Sequence, residues 1–283
     1  MTQEQLAKAE QFRNLHTSPG TFLAPNAWNA GSARLLEAAG FPALSTTSSG
    51  IALSLGRPDY EGRLGREEII SRVGSMARAV ELPVNADLEN GYGPQPEDVA
   101  ETVRQAVAAG AVGGNIEDYT GDPREPLFEA DLAAARIAAA RAAADKSGIP
   151  FTLTARTDCY ITGQDKPMTE AVRRAKLYRE AGADCIFVAG VTDRSTIAAL
   201  VREIPAPLNV VVGFAGQPLT ARELATMGVK RISIGGSLAR ATFGLIRRAA
   251  NEMAQQGTFS FAEEQIPDAE LSTFFGSWSE KVA

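Results

Sequence analysis

The sequence contains little cysteine, little histidine and no long apolar run. Its 283 residues include two cysteines, Cys159 and Cys185, and one histidine, His16. Two cysteines are too few for a disulfide framework, which agrees with a reducing compartment. No apolar run approaches the roughly 20 residues that a membrane-spanning helix needs, and the first residues, MTQEQLAKAEQF, lack the apolar core of a signal peptide. We therefore predict a cytoplasmic protein that does not enter a membrane.

The net charge and the single histidine exclude several classes of function. A net charge of −6 argues against binding to nucleic acid, so small molecules or copies of the same chain are the expected partners. His16 precedes the first predicted strand, and we expect it to be a solvated residue near a helix end. A mechanism that needs a histidine base or a zinc ligand therefore has almost no candidate. Catalysis would have to use carboxylates, arginine, hydroxyl groups and a metal ion.

The order of apolar and polar segments predicts the fold. Strand-like segments alternate with longer helical ones about eight times, with no linker between them, which indicates an α/β protein with a parallel sheet. Eight such strands fill a closed (β/α)8 barrel of the TIM type. We predict one domain over residues 1–283, with an N-terminal helix in 1–20, the barrel in 21–256 and a helical extension in 257–283. The predicted strands are 21–25, 43–47, 84–89, 112–117, 151–156, 185–189, 208–212 and 231–234.

The run VNADLENGYG, residues 84–93, places two carboxylates two residues apart where a predicted strand ends in glycines. On a strand, residues i and i+2 point to the same face, so we expect Asp87 and Glu89 to converge. Two unpaired carboxylates on one face repel each other and need a neutralising partner. Oxygen ligands without a nearby histidine favour Mg²⁺ or Mn²⁺ over zinc. The pair therefore predicts part of a metal site.

Polar residues also follow several of the other predicted strands. In a parallel barrel the chemistry lies at the carboxyl ends of the strands. Those ends contain the polar run 45–49, Glu117, Arg156 and Asn209. Any one of them alone could be a salt bridge or a helix cap at the barrel mouth. Together, at equivalent strand ends, they predict one site in which three acids converge on an arginine.

Six motifs make the chain resemble a known superfamily. They are, in order, NAWNAGSARLLEAAGFPALSTTSSG, LGRPDYEGRLGREEII, VNADLENGYG, GGNIEDYTGD, TLTARTDCY and YREAGADCIFV. With these motifs the chain is similar to the isocitrate lyase and phosphoenolpyruvate mutase superfamily over nearly its full length. The resemblance implies that Asp87, Glu89 and Glu117 hold Mg²⁺, mostly through water. It also implies catalytic roles for Asp59, the acid of the family's Gly-x-Pro-Asp loop, and for Arg156, the arginine of Ala-Arg-Thr-Asp.

The same resemblance implies a substrate site and an assembly. The region 46–49 corresponds to the family's backbone cradle for a substrate carboxylate, so Thr46, Thr47 and Ser48 are expected to bind substrate. Asn209 is expected to help choose it. The C-terminal segment is rich in aromatic residues, and the resemblance implies that a helix there is exchanged with a neighbouring subunit in a homo-oligomer, a dimer or a tetramer.

The segment after Asp118 departs from the lyases of this superfamily. Those lyases have a Lys-Lys-Cys-Gly-His type loop there, and its cysteine serves as the acid-base group. In this chain Asp118 is followed by YTGDPREPLF, which contains no cysteine, histidine or lysine. Tyr119 is the candidate that could replace the missing group. Loss of carbon dioxide from oxaloacetate needs an electron sink but no base, whereas a retro-aldol lyase needs both a base and an acid.

These observations predict a Mg²⁺-dependent enzyme, with Mn²⁺ as an alternative metal, that breaks a carbon–carbon bond of a small 2-oxo or 2-hydroxy acid through an enolate. The substrate would be a di- or tricarboxylate. Some short-loop relatives are oxaloacetate decarboxylases, so the resemblance favours oxaloacetate decarboxylation. The alternatives are a lyase for 2-methylisocitrate or isocitrate, a phosphonate mutase or hydrolase, and a non-catalytic protein that binds a 2-oxo acid.

Overall fold

Strands and helices alternate along most of the chain in the computed structural model, which describes residues 2–59, 64–214 and 219–279. The strands of the described residues are β1 (Phe22–Leu23), β2 (Asn26–Ala27), β3 (Leu44–Thr46), β4 (Val84–Asp87), β5 (Gly113–Glu117), β6 (Thr152–Thr157), β7 (Cys185–Val188), β8 (Leu208–Val211) and β9 (Arg231–Ser233). The α-helices are α1 (Gln3–Thr17), α2 (Ala30–Ala38), α3 (Ser48–Ser54), α4 (Arg66–Ala79), α5 (Pro96–Ala108), α6 (Ala130–Asp145), α7 (Pro167–Glu180), α8 (Arg194–Glu203), α9 (Ala221–Thr226), α10 (Ser237–Gln256) and α11 (Asp268–Ser279). A short 3₁₀ helix covers Ser260–Glu264.

All of these strands run parallel in one sheet, in the order β1-β9-β8-β7-β6-β5-β4-β3-β2. Only Ala24 and Pro25 separate the two outer strands. The Ala24 N–H donates to the Ile232 carbonyl at 2.9 Å, and the Ser45 N–H donates to the Pro25 carbonyl at 2.9 Å. One chain segment therefore joins both edges of the sheet, and the predicted TIM-type barrel is confirmed. The predicted strand 21–25 is replaced by two shorter strands, because Pro25 has no N–H to donate.

The sequence of α5 shows how the outer helices are fixed on the sheet. Pro96 occupies its first turn, where the missing N–H is not needed. Val99, Val103 and Ala106 share one face and are fully buried, as expected for an amphipathic helix. Gly110 follows the helix with φ of 104°, a conformation that favours glycine and that turns the chain toward β5.

His16 lies in the interior near the amino ends of the strands, packed edge-on against the rings of Phe12 and Phe22. Its Nδ1 is 2.8 Å from the Phe12 carbonyl and its Nε2 is 3.3 Å from an Arg231 nitrogen. A carbonyl only accepts and a guanidinium only donates, so the proton is on Nδ1. Burial and the charge of Arg231 lower the pKa of His16 to about 3. The prediction of a solvated histidine was wrong, because α1 turns this residue into the core.

The chain divides into two compact units, residues 1–237 and 238–283. The second unit contains most of α10, the 3₁₀ helix and α11. Its large apolar side chains are unusually exposed, at 37% or more for Leu238, Phe243, Leu245, Ile246, Phe259, Phe261, Ile266 and Met253. The predicted single domain with a boundary at residue 256 stays a prediction, and the side chain of Trp278 lies outside the described part. Within the described ranges, no helix has the length and apolar character needed to span a membrane.

Candidate active site

The run VNADLENGYG forms a strained turn at the end of β4. The strand ends at Asp87, and Glu89 has a backbone φ of 47°, in the left-handed region. Tyr92 has a φ of 59°. Residues other than glycine seldom adopt such values, and bulky side chains do so at an energetic cost. The predicted strand 84–89 was therefore two residues too long, and alternation along a strand does not orient Glu89.

Neighbouring elements hold this turn in place. The Glu117 N–H at the end of β5 donates to the Glu89 carbonyl at 3.0 Å. From α6, the buried guanidinium of Arg136 donates to the carbonyl of Asn90 and, at 2.7 Å, to that of Gly93. These bonds offset the strain and fix the side chains of the turn. Backbone strain that the surroundings maintain is typical of functional sites.

Asp87 is fixed by three hydrogen bonds. Its oxygens accept from the Ser48 N–H at 2.9 Å and from the Asn115 side-chain amide at 2.8 Å. Its own N–H donates to the Thr46 hydroxyl at 2.8 Å. The Ser48 hydroxyl lies 3.5 Å from an oxygen of Asp59, so the loop after α3 reaches the same place.

Glu117 and Arg156 form a buried ion pair across β5 and β6, where the strand register sets them side by side. An Arg156 nitrogen lies 2.9 Å from one oxygen of Glu117, whose side chain is almost fully buried. The other Arg156 nitrogens donate to both oxygens of Asp158 at 2.7 and 2.9 Å. The second Glu117 oxygen, Oε1, is buried and has no hydrogen-bond partner among the described residues. Burial raises the pKa of Glu117 well above its usual value.

Asp59, Asp87, Glu89 and Glu117 together form what we call the acid cluster. Burial, and then the charges of Asp87 and Asp59, raise the pKa of Glu89 to about 8, while Arg156 opposes the rise. The charges of Asp87 and Glu89 also add to the rise at Glu117. Four carboxylates near an arginine that is already paired with Asp158 leave an excess of negative charge. Such a cluster needs protons or a cation to be stable when buried.

A cavity of about 1080 Å³ opens beside Glu89. Its walls include Arg66 at the start of α4, Tyr92 and the loop 120–124. The hydroxyl of Tyr92 is buried and, within the part of the chain that the structure describes, completes no well-formed hydrogen bond. Tyr92 has no role predicted from the sequence, although its position between two glycines just after the acid pair was a signal.

The side chain of Asn209 bonds to two residues of β9. Its carbonyl oxygen accepts from Arg231 at 2.8 Å, and its amide nitrogen donates to the Ser233 hydroxyl at 3.0 Å. Both polar atoms of the Asn209 side chain are therefore used in hydrogen bonds to other buried residues of the barrel. The predicted role of Asn209 in substrate binding stays a prediction and gains no support from its contacts.

Tyr119 and Thr47 also form hydrogen bonds that stabilise the local structure. Tyr119 pairs with Leu127 in an isolated antiparallel bridge, and its carbonyl accepts from the Asn90 side chain at 3.2 Å. The Thr47 hydroxyl caps α3 by accepting from the Gly50 N–H at 3.2 Å. Of the predicted site residues, the structure brings together the acid cluster, Arg156 and Ser48, with Thr46 supporting Asp87. The catalytic role of Tyr119 and the substrate role of Thr47 stay predictions.

The donor set of the acid cluster is suited to a hard cation such as Mg²⁺, which prefers carboxylate oxygens and keeps several water ligands. No group of three or more acidic, histidine or cysteine side chains in the described residues is close enough to bind a metal directly. The unpartnered Oε1 of Glu117 and the surplus of carboxylates nevertheless match a hydrated ion. The residues present therefore fit a metal held mainly through water.

A TIM-type barrel with a strained, acidic site at the carboxyl ends of its strands is typical of TIM-barrel enzymes, whose active sites lie at that end. The family model for phosphoenolpyruvate phosphomutase matches residues 12–254, and the chain belongs to this family. The resemblance to the isocitrate lyase and phosphoenolpyruvate mutase superfamily is thereby confirmed. The chain is an enzyme of a superfamily whose related members are carbon–carbon lyases and mutases.

Individual relatives agree with this assignment. A Burkholderia cenocepacia J2315 protein provisionally classed as a lyase or mutase has a structure with TM-score 0.93 and 47% identity, covering 97% of both chains. The 2-methylisocitrate lyase of Escherichia coli (strain K12) is 30% identical over 241 residues, 81% of this chain and 79% of that protein. The oxaloacetate decarboxylase of Bradyrhizobium sp. (strain ORS 278) is 30% identical over 234 residues, 80% of this chain and 77% of that protein.

Proposed function

We propose that the chain is a Mg²⁺-dependent carbon–carbon lyase that decarboxylates oxaloacetate or a close 2-oxo dicarboxylate. The observation that supports this most is the acid cluster, in which Glu117 pairs with Arg156. The buried Oε1 of Glu117 has no partner within the described residues. The similarity to an oxaloacetate decarboxylase points to the same reaction. A site with surplus negative charge recruits a cation first, and the cation then allows a dicarboxylate to bind.

Asp87, Glu89 and Glu117 would hold the metal, mostly through water, with Mn²⁺ as an alternative to Mg²⁺. When bound, the ion acts as a Lewis acid that stabilises negative charge on the oxygens of the substrate. Asp87 is the most firmly positioned of the three, since Ser48 and Asn115 hold both of its oxygens. Glu89 and Glu117 gain most from a cation, because burial disfavours their charged forms.

The chain's own residues would orient the substrate for loss of carbon dioxide. In that step the bond between C3 and the leaving carboxylate breaks, its electron pair becomes the enolate of pyruvate, and a proton later adds to C3. No group has to remove a proton before the bond breaks. Arg156, which Asp158 holds by two bonds at 2.7 and 2.9 Å, supplies fixed positive charge near the developing enolate.

The short segment after Asp118 favours decarboxylation over a retro-aldol reaction. The residues 119–128 contain no cysteine, histidine or lysine to serve as a base. The only arginine in this segment, Arg124, is exposed and bonds Asp122 through its guanidinium at 2.7 and 3.1 Å. We propose that Tyr119 or water delivers the final proton to C3.

A lyase for 2-methylisocitrate is the second candidate, because a 2-methylisocitrate lyase is also 30% identical over most of the chain. Such a lyase needs a base for the substrate hydroxyl. In the metal-free chain, burial and the charges of Asp87 and Asp59 raise the pKa of Glu89 to about 8, so this carboxyl takes up a proton near neutral pH. The two candidates thus differ in whether Glu89 acts only on the metal or also on a proton.

We also propose a cytoplasmic homo-oligomer, a dimer or a tetramer. The exposed apolar side chains of residues 238–283, among them Ile246 at 56% and Phe259 at 64%, support burial against another subunit. Size-exclusion chromatography with light scattering gives the subunit number, and a monomer at micromolar concentration would contradict this proposal.

The activity is tested by adding oxaloacetate to the purified chain with Mg²⁺ and measuring pyruvate. We expect turnover well above the rate with Mg²⁺ alone, loss of activity with a chelator and a decrease of about 100-fold or more in Asp87→Ala. Asp131→Ala is the matched control, since Asp131 is an exposed aspartate on α6. Pyruvate formation no faster than with Mg²⁺ alone, and unchanged in Asp87→Ala, would overturn the decarboxylase. Turnover of 2-methylisocitrate instead would support the second candidate.

A further inference from the structure

Tyr92 is held rigidly in a conformation that few tyrosines adopt, with φ of 59°. Its N–H donates to the Asn90 side chain at 3.1 Å, and its carbonyl accepts from Arg66 at 3.4 Å. The flanking glycines leave no room for adjustment. A Cβ on Gly91 would lie 2.9 Å from Val99, and a Cβ on Gly93 would lie 2.2 Å from the side chain of Asp98. The backbone therefore fixes where the phenol ring can go.

The hydroxyl at the end of this ring is buried in the acid cluster. The carboxylates that act on it electrostatically are, in order of strength, Glu89, Asp87, Glu117 and Asp59. It is close enough to Glu89 to lower the pKa of that carboxyl somewhat, but the geometry falls short of a well-formed hydrogen bond. A phenylalanine would fill the same space without burying a hydroxyl that lacks a good partner. The hydroxyl therefore points into the acid cluster without completing a well-formed bond to any described residue.

The site also needs a further donor for a substrate oxygen. The carboxylates of the cluster can only accept when ionised. The guanidinium of Arg156 already directs one N–H of each of its three nitrogens to Asp158 or Glu117, which fixes its orientation and leaves two N–H groups for other partners. A phenol is neutral and a hydrogen-bond donor at physiological pH, and Tyr92 also lines the cavity beside Glu89.

We propose that Tyr92 is a substrate-contacting residue whose hydroxyl donates a hydrogen bond to an oxygen of the bound 2-oxo dicarboxylate. The proposal rests on the proposed function and adds to it a specificity-determining residue. Removal of the hydroxyl would weaken the binding of substrates and planar enolate mimics that present an oxygen there. It would not weaken the fold, because the hydroxyl completes no well-formed bond within the described ranges.

The test compares Tyr92→Phe with the unmodified protein. The probe is oxalate, a planar dianion that resembles the enolate of pyruvate, titrated calorimetrically in the presence of Mg²⁺ well below the unfolding temperature. Pyruvate formation from oxaloacetate and the Tm of the metal-free protein are measured in parallel. Tyr160→Phe is the matched control, since Tyr160 is partly buried against the core and its electrostatic neighbours are Asp193 and Cys159.

We expect Tyr92→Phe to bind oxalate about tenfold more weakly or worse, with a similar decrease in kcat/KM, and to have an unchanged or higher Tm. Tyr160→Phe should match the unmodified protein in oxalate affinity. An oxalate affinity in Tyr92→Phe equal to that of the unmodified protein overturns the assignment, and a lower Tm with that equal affinity gives Tyr92 a structural role only. If the unmodified protein binds no oxalate and forms no pyruvate, the proposed function fails and the role of Tyr92 fails with it. Activity of the unmodified protein together with an unaffected Tyr92→Phe overturns the role of Tyr92 alone.

Discussion

Glu117 and Asp118 are adjacent in the sequence and both are buried, yet their surroundings are opposite. Asp118 accepts hydrogen bonds from the Tyr178 hydroxyl at 2.6 Å, from the Asp158 N–H at 3.0 Å and from Arg174 at 3.2 Å. Glu117 belongs to the acid cluster, and its Oε1 has no hydrogen-bond partner in the residues described. We refer to Asp118, Arg174 and Tyr178 as the Asp118 cluster.

The number of hydrogen-bond partners that the fold provides distinguishes a buried charge with a structural role from one with a functional role. Successive residues at a strand end point to opposite sides of the sheet, so Glu117 meets the barrel mouth and Asp118 meets the helix layer. In the Asp118 cluster the fold supplies every partner. In the acid cluster it supplies too few, which is the pattern expected where a ligand completes the site.

The largest expected effect is on stability, from Asp118→Ala. The change leaves Tyr178 without its acceptor and removes the buried partner of Arg174. Among the residues that the structure describes, Arg174 then keeps only Glu170 as a salt-bridge partner. Breaking a buried ion pair from one side costs about 3–5 kcal/mol. We expect a loss of this size in the free energy of unfolding, measured with urea, and a loss below about 1 kcal/mol would break the comparison.

The opposite result is expected from Glu89→Gln in the acid cluster. The substitution removes a buried carboxyl whose charged form is disfavoured by burial and by the charges of Asp87 and Asp59, so the metal-free protein should be as stable as before or more stable. The kcat/KM for oxaloacetate should fall by about 100-fold, equivalent to about 2.7 kcal/mol. Urea unfolding and a pyruvate assay on the same preparation check both halves. If Glu89→Gln is less stable than the unmodified protein, Glu89 has a structural role like that of Asp118.

A smaller effect is expected from Tyr178→Phe. It removes the 2.6 Å hydrogen bond to Asp118, and hydrogen bonds to charged groups contribute about 1.5–3 kcal/mol. Unfolding followed by circular dichroism should show this loss. The same chemical change at Tyr92 should show none, so equal losses at the two tyrosines would contradict the distinction between the clusters.

The smallest effect is a pH dependence of stability. The pKa of Glu89 is raised from 4.5 to about 8 in the folded chain, so between these values the folded state binds the proton that the unfolded state has released. Stability is therefore lost as pH rises through this window. We expect the Tm of chelator-treated protein to fall from pH 5 to pH 8 more steeply than the Tm of Glu89→Gln. Parallel pH profiles of the two proteins would contradict the shift.

Much of this comparison could be predicted from the sequence. The strand ends were found because buried parallel strands are apolar runs that stop at polar residues, which located Asp87, Glu117 and Arg156. What the sequence did not reveal depends on distant partners. The left-handed backbone of Glu89 depends on Arg136 from α6, and the burial of His16 depends on Phe22 and Arg231.

Tyr92 was missed for a related reason. The sequence places it after two acids and between two glycines, but whether its hydroxyl has a partner is decided by the whole cluster. For Asn209, the strand position predicted a substrate-binding role that its observed contacts do not support. It follows the expected strand position, yet its amide bonds to Arg231 and Ser233, contacts that no local pattern indicates.

The central claim is that the acid cluster is completed by a divalent cation and a dicarboxylate. Its most direct test is calorimetric titration of oxalate into metal-free protein, with and without Mg²⁺, for the unmodified chain and for Glu117→Gln. We expect oxalate binding that requires Mg²⁺ and that weakens about tenfold or more in Glu117→Gln. Oxalate binding that is equally tight without Mg²⁺, or unchanged in Glu117→Gln, would contradict it.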